Sequence, residues 1–392
     1  MSATDLHTLS HASAALGEAD RLMTICNSCR YCEGLCAVFP AMEMRRSFPD
    51  GDLNYLANLC HSCGACYTDC QFSPPHEFSV NVPKVLAAVR AESYASYAWP
   101  RAFAPVFARN GLAISIISAL SVAAFILGFA LAGDPKILFS PASGPGTFYR
   151  IMPHNTMALL FGAVFVYALL ALWMGVRNFW RAAGESAQAF SARDVWQAVK
   201  DAGSLRYLDG GGAGCVNKDE YADVRRKHFH HAAFYGFTFC FASTSVATLY
   251  HYAGWEAPYA FYDLPVVLGM IGGAGLVIGP AGLFIEKGRR DPALRDAARR
   301  GMDVAFIAML LATGVSGMAL LFLRDTAAMG PLLALHLGIV FALFLTMPYG
   351  KFVHGIYRFA ALVRYAAERA QAEAGEEAGE PVTSTGQGGA RP

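Results

Sequence analysis

The sequence has few charged residues for its length. Of its 392 residues, 16% are charged and 55% are hydrophobic, whereas about 25% of the residues in an ordinary soluble domain are charged. This composition disfavours a purely soluble protein, and we expect a membrane protein in contact with lipid. The formal net charge is only +1, which gives no sign of a basic surface for nucleic acid, so we expect no nucleic-acid partner.

Several motifs that mark substrate chemistry are missing. The sequence has no complete dinucleotide fingerprint, nucleophile elbow or Walker loop, so no substrate-binding catalytic site of its own is evident. Its polar start, MSATDLHTLSHASAALGEADRL, also lacks the apolar core and the small-residue cleavage site of a signal peptide. We therefore expect the N-terminus to stay in the cytoplasm.

Cysteine, in contrast, is concentrated in two runs of identical spacing. Each run has three cysteines at intervals of three and a fourth four residues later: Cys26, Cys29, Cys32 and Cys36, then Cys60, Cys63, Cys66 and Cys70. In two-cluster ferredoxins with this spacing, the fourth cysteine ligates the other cluster. The spacing predicts two [4Fe-4S] clusters with crossed ligation, in which Cys70 completes the first site and Cys36 the second.

Two other uses of paired cysteines explain the runs less well. Zinc sites use two cysteines from each C-x2-C motif and leave no role for the third and fourth. A disulfide framework needs an oxidising compartment, whereas the topology below puts this segment in the cytoplasm. Ala37 and Gln71, instead of proline, follow the fourth cysteines, so the type of cluster is less certain than its presence.

Six apolar stretches are each about long enough to cross a hydrocarbon core of about 30 Å. We place them at Leu112–Ala132, Thr156–Val176, Ala232–Tyr252, Leu264–Ile285, Val304–Leu323 and Pro331–Met347, the last extending towards His354. With a cytoplasmic start, only Lys136, Arg150 and Arg324 of the 31 Lys and Arg fall in the outer loops. This asymmetry predicts that both termini lie in the cytoplasm, on the inner side of a bacterial cell membrane.

The chain thus divides into a mainly α-helical, ferredoxin-like two-cluster domain and a six-helix transmembrane bundle. We place the cytoplasmic domain at 1–109, the bundle at 110–358 and a cytoplasmic tail, largely disordered, at 359–392. The bundle includes a long inner loop at 177–230, whose glycine-rich centre, Leu205–Cys215, predicts an irregular docking segment. Cys215 in this loop is expected to be an exposed thiol.

Five histidines at the boundaries of the spans are candidate haem ligands: His230, His231, His251, His336 and His354. If one helix continues through the sixth span, His336 and His354 share a face about 27 Å apart. On the third span, His230 is closer to the face of His251 than His231 is. We predict that His230 with His354, and His251 with His336, clamp b-type haem, since neutral imidazole is a good iron ligand.

The alternative for these histidines is an interfacial role, with an apolar ring and a hydrated tip. Whether one or two haems bind stays open, and His154 is a further candidate at the outer site. In the fourth span, Gly269-x3-Gly273 and Gly275-x3-Gly279 superficially resemble a nucleotide loop. Because they lie inside an apolar helix, we predict close helix packing through small residues instead.

Three segments resemble the tricarballylate-utilisation iron-sulfur protein family, also called citrate-utilisation protein B. They are CNSCRYCEGLCAVFP from Cys26 to Pro40, LANLCHSCGAC from Leu56 to Cys66, and PPHEF from Pro74 to Phe78. The six spans and the glycine-rich inner loop fit as well. The resemblance implies a protein that reoxidises the reduced FAD of a partner dehydrogenase and passes electrons through two [4Fe-4S] clusters and haem to the membrane.

We therefore expect an electron-transfer protein whose partners are a soluble FAD-dependent dehydrogenase for a tricarballylate- or citrate-type acid, the membrane quinone pool and membrane lipid. One alternative partner is a flavoprotein of cobalamin synthesis, since similar modules are joined to such a protein. A second alternative is a membrane redox sensor, in which the clusters report oxidation state without steady turnover and the histidines are dispensable.

Overall fold

The structure is a computed structural model and describes residues 10–132, 135–141, 144, 146–183, 190–294 and 300–377. Over these residues the chain is mainly helical, and its strands form one short antiparallel pair. The predicted fold class, mainly α, is confirmed. One part of the chain carries the two cysteine runs, and the other consists of long apolar helices.

The cysteine domain, residues 10–107, is built from short helices around an apolar core. Ser13 caps the first helix by accepting a hydrogen bond from the Leu16 N–H at 3.2 Å. Leu53, Leu56 and Leu86 are fully buried at the centre of the domain. The helices are α1 (Ala14–Cys29), α2 (Val38–Glu43), α3 (Asp50–Leu59), α4 (Ala65–Thr68) and α5 (Val82–Tyr97).

Six of the described helices are long and apolar enough to cross a membrane. The predicted spans are confirmed as helices, and most continue a few residues beyond their predicted ends. The third begins seven residues earlier than predicted, at Arg225. Short helices α7 (Pro135–Leu138) and α8 (Thr147–Ile151) follow the first span. The six long helices are α6 (Asn110–Ala132), α9 (His154–Ala182), α11 (Arg225–Tyr252), α12 (Leu264–Arg289), α13 (Arg300–Phe322) and α14 (Met329–Thr346).

Small residues allow α11 and α12 to pack closely, as the glycine pattern predicts. A Cβ atom at Gly279 would lie 2.4 Å from the backbone nitrogen of Ala233, and one at Gly275 would lie 2.7 Å from the Ala232 oxygen. Neither distance is sterically possible, so only glycine allows the two backbones this close. Close approach through small residues is a general mode of helix association in membranes.

The connection from α9 to α11 is shorter than the predicted inner loop, and its described residues 190–224 include a helix and a hairpin. It contains α10 (Ala192–Gly203), a 3-10 turn at Gly210–Gly212 and a hairpin of β1 (Cys215–Val216) with β2 (Ala222–Asp223). Ser191 and Asp194 form a capping box at the start of α10. The irregular conformation predicted for Leu205–Cys215 is confirmed, because Gly210, Gly211, Gly212 and Gly214 all have positive φ angles.

The end of the sixth span corrects the geometry expected for two histidines. Helix α14 stops at Thr346, a 3-10 turn follows at Met347–Tyr349, and α15 (Val353–Glu377) is a separate helix. Pro348 cannot donate a helical hydrogen bond, and Gly350 adopts an extended conformation. The expectation that His336 and His354 share one face of a helix is therefore wrong, since His354 lies on α15.

The predicted disordered tail is also wrong for the residues up to Glu377, which belong to α15. Residues 360–367 of this helix are all buried, and Val353, Tyr357, Ala361 and Val363 belong to the same apolar core as the cysteine domain. The composition misled the prediction because Ala and Glu, common in this segment, are also strong helix formers. Residues 378–392 of the expected tail lie outside the described residues.

A buried ion network joins α15 to the cysteine domain. Arg364, only 2% exposed, donates to Asp52 at 2.6 Å and to Glu368 at 2.8 Å. Arg45 donates to the same Glu368 at 2.6 Å, and the Tyr55 hydroxyl donates to its second oxygen at 3.0 Å. Because each buried charge has a partner of opposite charge, loss of one member leaves another uncompensated.

We predict that Arg364→Ala destabilises the protein by about 3 to 5 kcal/mol, because it leaves the buried carboxylates of Asp52 and Glu368 to share the single charge of Arg45. Urea unfolding of the detergent-solubilised protein, followed by tryptophan fluorescence, measures this change. The matched control is Arg369→Ala, five residues further along α15, where the exposed ion pair with Glu373 contributes about 0 to 1 kcal/mol. Equal effects of the two substitutions would show that the network does not stabilise the fold.

Candidate electron-transfer site

The first cysteine run lies at the end of α1 and in the turn that follows. Arg30 ends the helix with a left-handed φ of 54°, which turns the chain so that the next cysteines face back towards α1. A cavity opens between this turn and the turn of the fourth cysteine in the second run. The cysteines that line it are Cys26, Cys29, Cys32, Cys66 and Cys70.

The thiols around this cavity influence one another electrostatically. Burial, followed by the neighbouring Cys32 and Cys70, raises the pKa of Cys26 to about 12. Burial, followed by Cys70 and Cys29, raises the pKa of Cys32 to about 11. Such thiols stay protonated at neutral pH unless a bound metal or other positive charge stabilises their thiolates. Cys70, from the second run, is thus a close neighbour of the first.

The second run begins where α3 ends and continues into α4. Ser62 has a φ of 51° and Gly64 a φ of 97°, and these two left-handed residues wrap the chain around the run. The Ser62 N–H donates to the Cys60 sulfur at 3.3 Å. Burial raises the pKa of Cys36, with Cys63 and Cys60 as the next causes.

Together these neighbours divide the eight thiols into two sets, each with three cysteines from one run and one from the other. The first set is Cys26, Cys29, Cys32 and Cys70, and the second is Cys36, Cys60, Cys63 and Cys66. This is the grouping that crossed ligation requires, and sets of four thiols fit [4Fe-4S] clusters. Among the described residues, no three His, Cys, Asp or Glu side chains are placed to hold a single metal ion, so ligation stays a prediction.

The glycine-rich segment covers the second set. A Cβ atom at Gly210 would lie 3.0 Å from that of Ala65 and 3.8 Å from the Cys63 sulfur. The Val216 N–H donates to the Cys63 carbonyl at 2.9 Å. Cys215 is buried, not the exposed thiol expected from the sequence, because it packs in a small apolar cluster beside Cys63.

Three arginines surround the backbone of the loop that carries Cys60. Arg90 and Arg358 donate to the Cys60 carbonyl at 2.7 and 2.8 Å. Arg226 donates to the carbonyls of Ser62 at 2.8 Å and His61 at 3.2 Å. These arginines come from α5, α15 and α11, so the loop is held at the junction of the cysteine domain and the bundle.

Three histidines meet beside this loop: His61, His230 and His354. The rings of His230 and His354 are 6.0 Å apart between centroids. Burial, followed by the Arg358 charge, lowers the pKa of His61 well below its ordinary value. Burial, followed by the charges of Lys351 and Arg358, does the same to the pKa of His354. Both rings are therefore neutral at pH 7, the form that binds metals.

The distance between the rings of the predicted inner pair suits two ligands of one iron. Two imidazoles on one iron, with bonds of roughly 2 Å as in other metal sites, have ring centres roughly 6 Å apart. His354 Nδ1 donates a hydrogen bond to the Lys351 carbonyl. This leaves Nε2 free to bind iron, the usual arrangement for a ligating histidine. Among the described residues, the buried Nδ1 of His230 has no hydrogen-bond partner, so this ring is open to a ligand.

The predicted outer pair is not brought together in the same way. His251 stacks on His154 with ring centroids 3.5 Å apart, too close for an iron between them. His336 instead bonds to the Ser316 hydroxyl on α13 at 2.9 Å. His231 lies beside Tyr235, with ring centroids 5.8 Å apart. As placed, His154, His251 and His336 do not fit a second haem, and His231 lies at the other end of α11, next to His230.

Several residues of the site were not identified from the sequence. His61 directly follows a predicted ligand, so its position in the motif could have suggested a role. Arg90, Arg226 and Arg358 carry no local signal, since they lie on three different helices and meet only in the tertiary structure.

Comparisons with known proteins agree with the sequence resemblance. Residues 106–375 match the family model for citrate utilization protein B, and residues 19–96 match the model for the Fer4-like domain of that protein. The chain belongs to the citrate utilization protein B family. The chain is 48% identical to the citrate utilization protein B of Escherichia coli over 364 residues, which cover 92% of this chain and 94% of that protein.

No solved structure matches the chain. Membership of the citrate utilization protein B family, together with its Fer4-like domain, fits an iron-sulfur electron-transfer role. The resemblance stated from the cysteine motifs is confirmed.

Crossed ligation predicts how paired cysteine substitutions combine. In Cys36→Ser/Cys60→Ser both lost ligands belong to one cluster, so about half of the roughly eight cluster irons should remain. In Cys26→Ser/Cys36→Ser the lost ligands belong to different clusters, so little iron should remain. Iron and acid-labile sulfide in anaerobically purified protein measure both outcomes.

Cys240→Ala, in a membrane-spanning helix, is the control and should keep all the iron. If Cys26→Ser/Cys36→Ser kept about half of the iron while Cys36→Ser/Cys60→Ser kept little, ligation within each run would be correct instead.

Proposed function

We propose that this protein is a membrane-anchored electron conduit. It reoxidises the reduced FAD of a partner dehydrogenase that acts on a tricarballylate- or citrate-type acid. It passes the electrons through two [4Fe-4S] clusters and haem b to the membrane quinone pool. The observation that carries the proposal is the order of the sites: a cysteine set with one exposed thiol, Cys29, then a set without one, and then two facing histidines at the end of the bundle.

The first cysteine set suits electron entry from a soluble flavoprotein. Cys29 is exposed, and the neighbouring Tyr31 side chain is 73% exposed. The second set is covered by the glycine-rich segment around Gly210, which keeps a docked protein at a greater distance. These differences in exposure support electron entry at the first set and electron exit through the second.

The second set lies next to the proposed haem ligands. His61 follows Cys60 directly, and Arg226, one helical turn before His230 on α11, donates to the His61 carbonyl at 3.2 Å. Bound clusters and haem would supply one-electron carriers at these positions. The chain supplies their thiolate and imidazole ligands, excludes water from the second set and keeps His354 neutral for binding.

We place the protein in the bacterial inner membrane with both termini in the cytoplasm. An even number of spans puts both ends of the chain on one side, and the contact of Arg364 with Asp52 joins α15 to the cysteine domain. The scarcity of Lys and Arg in the predicted outer loops supports the cytoplasmic side. The reduced flavin of a cytoplasmic dehydrogenase then meets the first cysteine set.

Iron, acid-labile sulfide and the pyridine haemochrome spectrum of the anaerobically purified protein test the proposal. We expect about eight non-haem irons and haem b. We also expect reoxidation of the dithionite-reduced protein on addition of a quinone analogue. Eight irons without haem would overturn the haem step, and failure to reoxidise would overturn the quinone step. Absence of iron would overturn the conduit.

We predict that His354→Ala removes haem b and leaves the cluster iron in place, because it deletes one axial ligand without touching a thiol. The haemochrome spectrum and the iron content of the same sample measure the two results. His228→Ala is the control, since His228 lies on the same helix as His230 but is exposed, and it should keep both cofactors. Full haem content in the His354 variant would contradict the assignment.

A further inference from the structure

The two cysteine sets lie in different electrostatic surroundings. Around the second set, Arg90, Arg226 and Arg358 direct their guanidinium groups at the carbonyls of the Cys60 loop. Arg90 also donates to the Ala57 carbonyl at 2.9 Å and to the Ser62 hydroxyl at 3.0 Å. These hydrogen bonds fix three positive charges close to the second set.

Carboxylates do not neutralise these three charges. Within the described part of the chain, the hydrogen-bond partners of Arg90, Arg226 and Arg358 are carbonyl and hydroxyl oxygens and the sulfur of Cys215. The nearby carboxylate of Asp303 is already paired with Lys287 and Lys351. The junction therefore holds an excess of positive charge that only an anionic group can balance.

The first set lacks such an excess. Asp69 is the carboxylate whose charge acts on Cys32, and Arg30 follows Cys29 in the chain. Both side chains are exposed, so water and salt screen their opposite charges. Arg90, in contrast, is buried, with 7% of its surface exposed, and its field is screened far less.

Net charge, hydrogen bonds and solvent exposure set the potential of an iron-sulfur cluster. Reduction adds a negative charge, so a fixed positive charge nearby stabilises the reduced form and raises the potential. The first set is more exposed to water, which also stabilises the added negative charge. Exposure by itself would therefore raise the potential of the first cluster. Three unneutralised guanidinium groups at hydrogen-bond distance from the Cys60 loop change the potential more than the difference in solvent exposure does.

We propose that Arg90, Arg226 and Arg358 raise the reduction potential of the cluster held by the second cysteine set above that of the first. The inference rests on the proposed function and adds the direction of electron transfer between the two clusters. One electron leaves the reduced first cluster, which becomes oxidised, and enters the oxidised second cluster, which becomes reduced. No proton moves, and the reduced flavin of the partner supplies the electrons one at a time.

A redox titration of the full-length, detergent-solubilised protein, followed by electron paramagnetic resonance, tests the ranking. We expect two cluster signals with different midpoint potentials. Arg226→Gln should lower the higher midpoint and leave the lower one nearly unchanged, and Arg226→Lys should lower it less because the charge is kept. Arg358→Gln, on another helix, should also lower the higher midpoint. This variant replaces Arg226→Gln in the test if Arg226→Gln loses iron.

Asp69→Asn is the reciprocal variant and should raise the lower midpoint only, since it removes a negative charge at the first set. Arg30→Gln should not lower the higher midpoint. The proposal is overturned if the signal that responds to the arginine variants is the one of lower potential, or if neither signal moves. A protein without clusters would instead overturn the proposed function, because iron and sulfide are measured on the same samples.

Discussion

The backbone carbonyls of residues 57–62 meet guanidinium groups from three separate helices, and the arrangement of the site depends on this contact. Arg90 lies on a helix of the cysteine domain, Arg226 at the start of a membrane-spanning helix and Arg358 on the C-terminal helix. Hydrogen bonds from charged donors are stronger than those between neutral groups. They hold the Cys60 loop against the bundle, and they bring His61 beside His230 and His354.

The C-terminal helix has a larger part in this arrangement than its composition suggests. One face carries Arg364 and Glu368 of the buried ion network, and its first turns carry His354 and Arg358. A single rigid element thus links the core of the cysteine domain to the proposed haem ligand. Because its position is fixed at both ends, the spacing between the second cysteine set and the paired histidines is fixed as well.

The two ends of the bundle differ in what their histidines can do. Near the cysteine domain, the distance between His230 and His354 suits two ligands of one iron. At the far end, His154 and His251 stack face to face and leave no such space. These distances suit an iron between His230 and His354, beside the second cysteine set, and not between His154 and His251.

The sequence by itself determined the features that depend on local spacing. Cysteine intervals indicated two sets of thiols, and runs of apolar residues indicated six spans, because ligation by a short turn and passage through a bilayer are each encoded within a few dozen residues. Pairing of His230 with His354 was also predicted. The shared helix face expected for His336 and His354 was wrong, because Pro348 and Gly350 separate two helices where one was expected.

Only the tertiary structure decided the rest. An arginine has no local sign of the carbonyl it will bind, so the meeting of Arg90, Arg226 and Arg358 could not be inferred from three distant positions. The place of the C-terminal helix is set by Tyr357, Ala361 and Arg364, which contact the cysteine domain. The contacted residues lie about 300 residues earlier in the chain, and contacts of that kind arise only when the chain has folded.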